Sequence, residues 1–123
     1  MFEVTVQETF AAAHFLRGYE GTCNSIHGHN FRVQVIIEGE RLNDIGMLVD
    51  FRDVKRLLRT VMESVDHKNL NEVPPFDAEK NPTTENLAEY FYNRMAPEIA
   101  TSGARVREVR IWETDIQAAS YRP

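Results

Sequence analysis

A single cysteine among 123 residues rules out any disulfide within the chain. That scarcity fits a reducing compartment, where the thiol is either inert packing or chemistry. No apolar run approaches the roughly 20 residues that a membrane-spanning helix needs. Met1-Phe2-Glu3-Val4 starts as a strand and not as a basic, apolar leader. A soluble, cytoplasmic protein with no membrane partner is the expectation. Basic charge is in deficit: 14 Lys and Arg against 19 Asp and Glu leave a net charge of −5. No basic run reaches the density of a nucleic-acid-binding arm, which argues against nucleic acid as a partner. An anionic small molecule is still admissible, because a few local cations can dominate a cleft whatever the net charge. Repeats, low-complexity tracts and interdomain linkers are also missing. What is present, 42% apolar or aromatic residues and 27% charged, is the balance of one globular domain over residues 1–123. A chain of this size buries about two thirds of its unfolded surface without covalent help.

Phe2, Val4 and Val6 alternate with Glu3, Thr5 and Gln7, the period-2 signature of a strand with one buried face, and the strand extends through Phe10-Ala-Ala-Ala-His14. Gly18 and Gly21 mark a loop before Phe31, Val33, Val35 and Ile37 restart the alternation. Asp50 is placed to cap a helix whose apolar face is Phe51, Val54, Leu57, Leu58, Val61 and Met62. A polar, proline-bearing connection runs from Asp66 to Pro82. Thr83 or Thr84 then caps a second helix, with Leu87, Tyr90, Phe91 and Met95 as its buried stripe until Pro97 and Gly103 loosen it. Val109 and Ile111 mark a third strand, and Ile116 to Tyr121 a short fourth. The order strand, strand, helix, helix, strand, strand predicts an α+β layer: an antiparallel sheet with both helices on one face. Apolar residues left on the other face would be available to partner subunits.

His27-Gly28-His29 is the most informative tripeptide. Residues i and i+2 of an extended chain point the same way, so two imidazoles can converge on one ion. His14 shares the inward phase of Phe10 and Ala12, and an antiparallel return would bring His29 beside it. Three neutral histidines leave a fourth position free, the arrangement of a catalytic zinc. Cys23, four residues before His27, is either a small buried hydrophobe or, beside a divalent cation, a thiolate able to take a proton from carbon. Asp66-His67 is either a solvated loop or a carboxylate that fixes an imidazole's tautomer and raises its basicity. Glu113 follows the phase of Val109 and Ile111. It either reaches water at the strand end or needs a buried partner, and a flat heterocycle with two adjacent N–H donors would suit it.

Taken in order, Phe10-Ala-Ala-Ala-His14, Cys23-x-x-x-His27-Gly28-His29, Gly46-Met-Leu-Val-Asp50-Phe51, Asp66-His67-Lys-Asn-Leu70-Asn71, Pro82-Thr-Thr-Glu-Asn86 and Trp112-Glu113-Thr114 resemble the 6-pyruvoyl-tetrahydropterin synthase family. That family includes the bacterial 6-carboxy-tetrahydropterin synthases of queuosine biosynthesis. The resemblance spans nearly the whole chain. It implies the tunnelling fold, a four-stranded antiparallel sheet with two helices between the second and third strands. It also implies a homohexamer of stacked trimers with active sites at subunit boundaries.

By the same resemblance His14, His27 and His29 match zinc ligands, Cys23 the proton-abstracting base, and Asp66 with His67 the pair that relays protons. Glu113 matches the carboxylate that anchors the pterin ring and takes part in the relay, while Thr83 and Thr84 lie where the family contacts that ring. The implied substrate is 7,8-dihydroneopterin triphosphate. The short chain and compact Cys-x-x-x-His-Gly-His spacing are similar to the carboxy-forming members, which release triphosphate and acetaldehyde; pyruvoyl-tetrahydropterin formation is the alternative. Cys23 argues against paralogues that lack the cysteine. Lys68, Arg107 and Arg110 are candidate triphosphate cations, each equally well a solvated surface charge. The non-enzymatic alternative is an assembly module whose three histidines bind zinc only to hold the fold.

Overall fold

The computed structural model describes residues 1–123. Strands β1 (Phe2–His14) and β2 (His27–Gly39) are each 13 residues long. They pair antiparallel along their whole length, from Phe2 opposite Gly39 to His14 opposite His27. Because side chains alternate, Val6, Phe10, Ala12 and His14 share one face with Phe31, Val33, Val35 and Ile37, and all are buried. Phe10 stacks on Phe31 at 5.1 Å between ring centroids and on Phe91 at 5.6 Å. That face is the floor of the core.

Helix α1 (Phe51–Met62) opens where expected, with the Asp50 side chain accepting from the Arg52 amide. Val54, Leu58, Val61 and Met62 form its buried stripe. Two residues, Lys68–Asn69, form strand β3, and helix α2 (Thr84–Ala100) follows, capped by the Thr83 hydroxyl. Pro97 does not end α2, which continues to Ala100. A proline there forfeits one hydrogen bond near the helix terminus, and the buried anchors Met95 and Ile99 hold the last turn in place. Strands β4 (Arg105–Thr114) and β5 (Gln117–Tyr121) close the chain as a hairpin. Helix α1 packs on β1 and α2 on β4 and β5. No helix is long and apolar enough to cross a membrane.

The sheet has five strands in the order β3-β1-β2-β4-β5, one more than the four-stranded antiparallel sheet expected. The added strand, β3, runs parallel to β1 beside Ala12 and Ala13. Two residues carry no readable periodicity. They are docked by tertiary bonds: the Ala11 amide donates to the Asp66 carboxylate at 3.0 Å and the His67 amide to the Ala11 carbonyl at 2.6 Å. The helix-free face is also more polar than the sequence suggests. Trp112 donates to Gln34 and Gln34 to Gln7, while the Arg32 guanidinium lies over Trp112 at 4.9 Å. Glu108, 4% exposed, is held by Arg110 and Ser120.

Candidate metal centre and active site

Hairpin register builds the centre. His14 ends β1 directly opposite His27, and His29 lies two residues along β2 on the same face. One ligand atom from each of the three rings lies within 4.8 Å of the others. The ring centroids are 4.7 Å (His14–His27), 5.3 Å (His14–His29) and 4.9 Å (His27–His29) apart. His14 donates from Nδ1 to the Pro82 carbonyl and His27 from Nδ1 to the Ser25 carbonyl, both at 2.8 Å. A carbonyl can only accept, so each of these rings carries its proton on Nδ1 and keeps the lone pair on Nε2 for an ion. Burial pushes the His14 pKa below its ordinary value, the neighbouring His27 adds to the effect, and the Pro82 bond opposes it. Neutral imidazole is the form that ligates metal.

His29 Nε2 is buried and makes no hydrogen bond; Glu113 Oε1, 3.5 Å away, does not satisfy it. A buried nitrogen left without a partner costs about 1–3 kcal/mol, and a metal ion would satisfy it. The donor set therefore fits zinc: three imidazoles, two with tautomers locked by carbonyls, and no sulfur in the cluster.

Glu113 completes the wall. Its Oε2 lies 4.0 Å from His14 Nε2 and accepts a 3.0 Å hydrogen bond from the Thr84 hydroxyl. Thr83 and Thr84 are thus divided in their roles: Thr83 caps α2 through the Asn86 amide, and Thr84 holds the carboxylate. Cys23 lies half-buried in a short turn (Thr22–Asn24), its carbonyl accepting from the Leu16 amide at 2.8 Å. Its thiol is not part of the histidine cluster.

Asp66 and His67 lie elsewhere on the chain, at the β3 edge of the sheet. Their side chains pair at 3.0 Å, and His67, in left-handed backbone at φ 59, is 81% exposed. Burial works to raise the Asp66 pKa, but the Ala11 amide and the His67 ring overcome it and hold the carboxyl below its ordinary value. His67 lines an open depression of about 520 Å³ with Ala13, Gly28, Asn30, Lys68 and His29, the last shared with the histidine cluster. Lys68 makes no ion pair, whereas Arg107 pairs with Glu3 and Arg110 with Glu108. Sequence reasoning missed the Pro82 and Ser25 carbonyls, because backbone acceptors leave no trace in residue identity. It also assigned no role to Asn71, Asn81 and Asn86, although Asn71 and Asn86 close two of the motifs.

A family model described as PTPS, 6-pyruvoyl tetrahydropterin synthase, matches residues 3–123. The chain belongs to that family. Among tetrahydropterin synthases, it is 35% identical over 132 residues to a 6-pyruvoyl tetrahydrobiopterin synthase of Poecilia reticulata, covering 97% of this chain and 88% of that protein. It is 32% identical over 128 residues to the 6-carboxy-5,6,7,8-tetrahydropterin synthase of Bacillus subtilis strain 168, covering 99% of this chain and 86% of the relative. The solved structure of Caenorhabditis elegans 6-pyruvoyl tetrahydropterin synthase superposes with a TM-score of 0.85 at 29% identity, covering 100% of this chain and 97% of that one. The architecture is the tunnelling fold of these synthases, with the five-stranded sheet described above.

Proposed function

We propose that this chain is a zinc-dependent 6-carboxy-5,6,7,8-tetrahydropterin synthase of the queuosine type, acting on 7,8-dihydroneopterin triphosphate. The observation that carries the proposal is the three-histidine cluster, with ligand atoms within 4.8 Å of one another. When bound, zinc supplies Lewis-acid chemistry, polarising the substrate's side-chain oxygens and acidifying the adjacent C–H bonds. Cys23 takes a proton from the acidified carbon, and His67, oriented by Asp66, returns one. Glu113 accepts two N–H groups of the pterin ring; a carboxylate has lone pairs to spare beside its bond from Thr84.

Asp66 and His67 serve the centre of a neighbouring copy, which places the working site at a subunit boundary in a homohexamer. The 81% exposure of His67 and its absence from the histidine cluster support that arrangement. A purely structural zinc site would more often recruit the thiol as a fourth ligand. Similarity to pyruvoyl-forming relatives, such as the one at 35% identity, favours 6-pyruvoyl-tetrahydropterin formation as the second reading.

Incubation of the zinc-loaded protein with 7,8-dihydroneopterin triphosphate, with the pterin product identified by mass, tests the proposal. The expected products are 6-carboxy-5,6,7,8-tetrahydropterin, triphosphate and acetaldehyde. A pyruvoyl product selects the second reading. Retained zinc without turnover selects the structural module.

A further inference from the structure

Two asparagine brackets join the end of β1 to the distant segment that precedes α2. Asn71 accepts from the Phe15 amide at 2.9 Å and donates to the Phe15 carbonyl at 3.0 Å. Asn81 does the same to Arg17, at 3.0 and 2.9 Å. The residues just after the metal ligand His14 are therefore clamped to residues 71–82, which supply the Pro82 carbonyl on His14 Nδ1. The Arg17 guanidinium adds bonds to the Phe76 carbonyl at 3.0 Å and the Lys80 carbonyl at 2.7 Å, and a side chain from α2 also acts on this clamp. Asn86 donates from its amide nitrogen to the Asn81 carbonyl at 2.9 Å.

The residue type at position 86 is informative. Thr83 caps α2, so Asn86 is the third residue of the helix, where a capping box would place Glu or Gln to reach back to the cap amide. Asn86 instead sends its N–H past the cap to the Asn81 carbonyl. Residue 81 is thereby held at both side-chain atoms and at its backbone oxygen. Proline fixes its own φ near −65°, so only ψ of Pro82 is free between the held Asn81 carbonyl and the carbonyl that faces His14. The Asn86 bond thus aims the group that sets the tautomer and ring orientation of a metal ligand.

We propose that Asn86 is a positioning residue for the three-histidine centre, acting through Asn81 and the Pro82 carbonyl to set metal affinity. The inference rests on the metal-centre reading above. Partners that orient a ligating histidine cost 10–100-fold in affinity when removed.

The test uses Asn86→Asp, which is nearly isosteric and removes the donor. A carboxylate in the first turn complements the helix dipole, so α2 itself is not weakened. Zn²⁺ and Co²⁺ affinities are measured by competition with a chromophoric chelator, and the visible bands of the Co²⁺ form are recorded. Expected is a loss of affinity of about 10-fold, the low end of the range for a direct partner of a ligating histidine because Asn86 acts one step further out, with altered cobalt bands, while the metal-free protein melts close to wild type. Unchanged affinity and bands overturn the proposal, even if the melting temperature falls, because a merely structural bond would give that result. Should the charged variant fail to fold, Asn86→Ala carries the same readouts. Wild-type protein that binds neither ion overturns the metal-centre reading and this inference with it, a result distinct from equal binding by wild type and variant.

Discussion

His29→Ala separates the energetics of the fold from those of the centre. In the metal-free protein His29 Nε2 is buried without a hydrogen bond. Removing the ring therefore deletes an unsatisfied group worth about 1–3 kcal/mol, which offsets the packing lost against Phe31, 5.5 Å away between centroids. The metal-free stability should change by no more than about 1 kcal/mol. With metal the balance differs. A complete structural zinc site of four ligands contributes about 10–16 kcal/mol, or about 2.5–4 kcal/mol per ligand, so losing one of three imidazoles weakens binding about 10²–10³-fold.

At free Zn²⁺ about 100 times the wild-type Kd, linkage stabilises the wild type by about 2.7 kcal/mol and the variant by about 0.4 kcal/mol or less. For a domain of this size, that is a metal-induced rise of about 10 °C in Tm for the wild type against about 2 °C for the variant. Scanning calorimetry with and without Zn²⁺ measures both. A variant that keeps the full metal-induced rise refutes the assignment of His29 as a ligand.

Three further outcomes follow from the site. Cys23→Ala should leave zinc stoichiometry at the wild-type value while kcat falls about 10²–10⁴-fold, the contribution of a positioned base; parallel loss of zinc, read by atomic absorption, would make the thiol a ligand. Glu113→Gln puts an amide N–H against the donors of the ring and should weaken dihydropterin binding about 10–100-fold, with zinc affinity nearly unchanged; calorimetric titration of both ligands decides it. The Asp66 carboxyl has a lowered pKa in the folded state, so its contribution is complete above the ordinary carboxylate pKa and is lost as pH falls through the lowered value. Urea denaturation of wild type and Asp66→Asn should therefore differ by about 1 kcal/mol at pH 7, a small value because the site is partly exposed, and converge in strong acid; a gap that persists there contradicts the carboxylate's role.

Much of this protein was legible along the chain, because alternation and helical spacing are local properties. Val6, Phe10 and His14 declared one face of β1, and His27 and His29 had to project together from β2 whatever the rest of the fold did. Asp50 announced the start of α1 for an equally local reason, a side-chain acceptor beside unpaired amides.

What the tertiary structure alone decided was register and reach. A slip of one residue between β1 and β2 would have turned His14 away from His27, and no single strand encodes its own alignment. The same holds for the Pro82 carbonyl on His14, for the choice of Thr84 over Thr83 at Glu113, and for the two residues of β3. Each is a contact between segments distant in sequence, and it exists only once the sheet has brought them together.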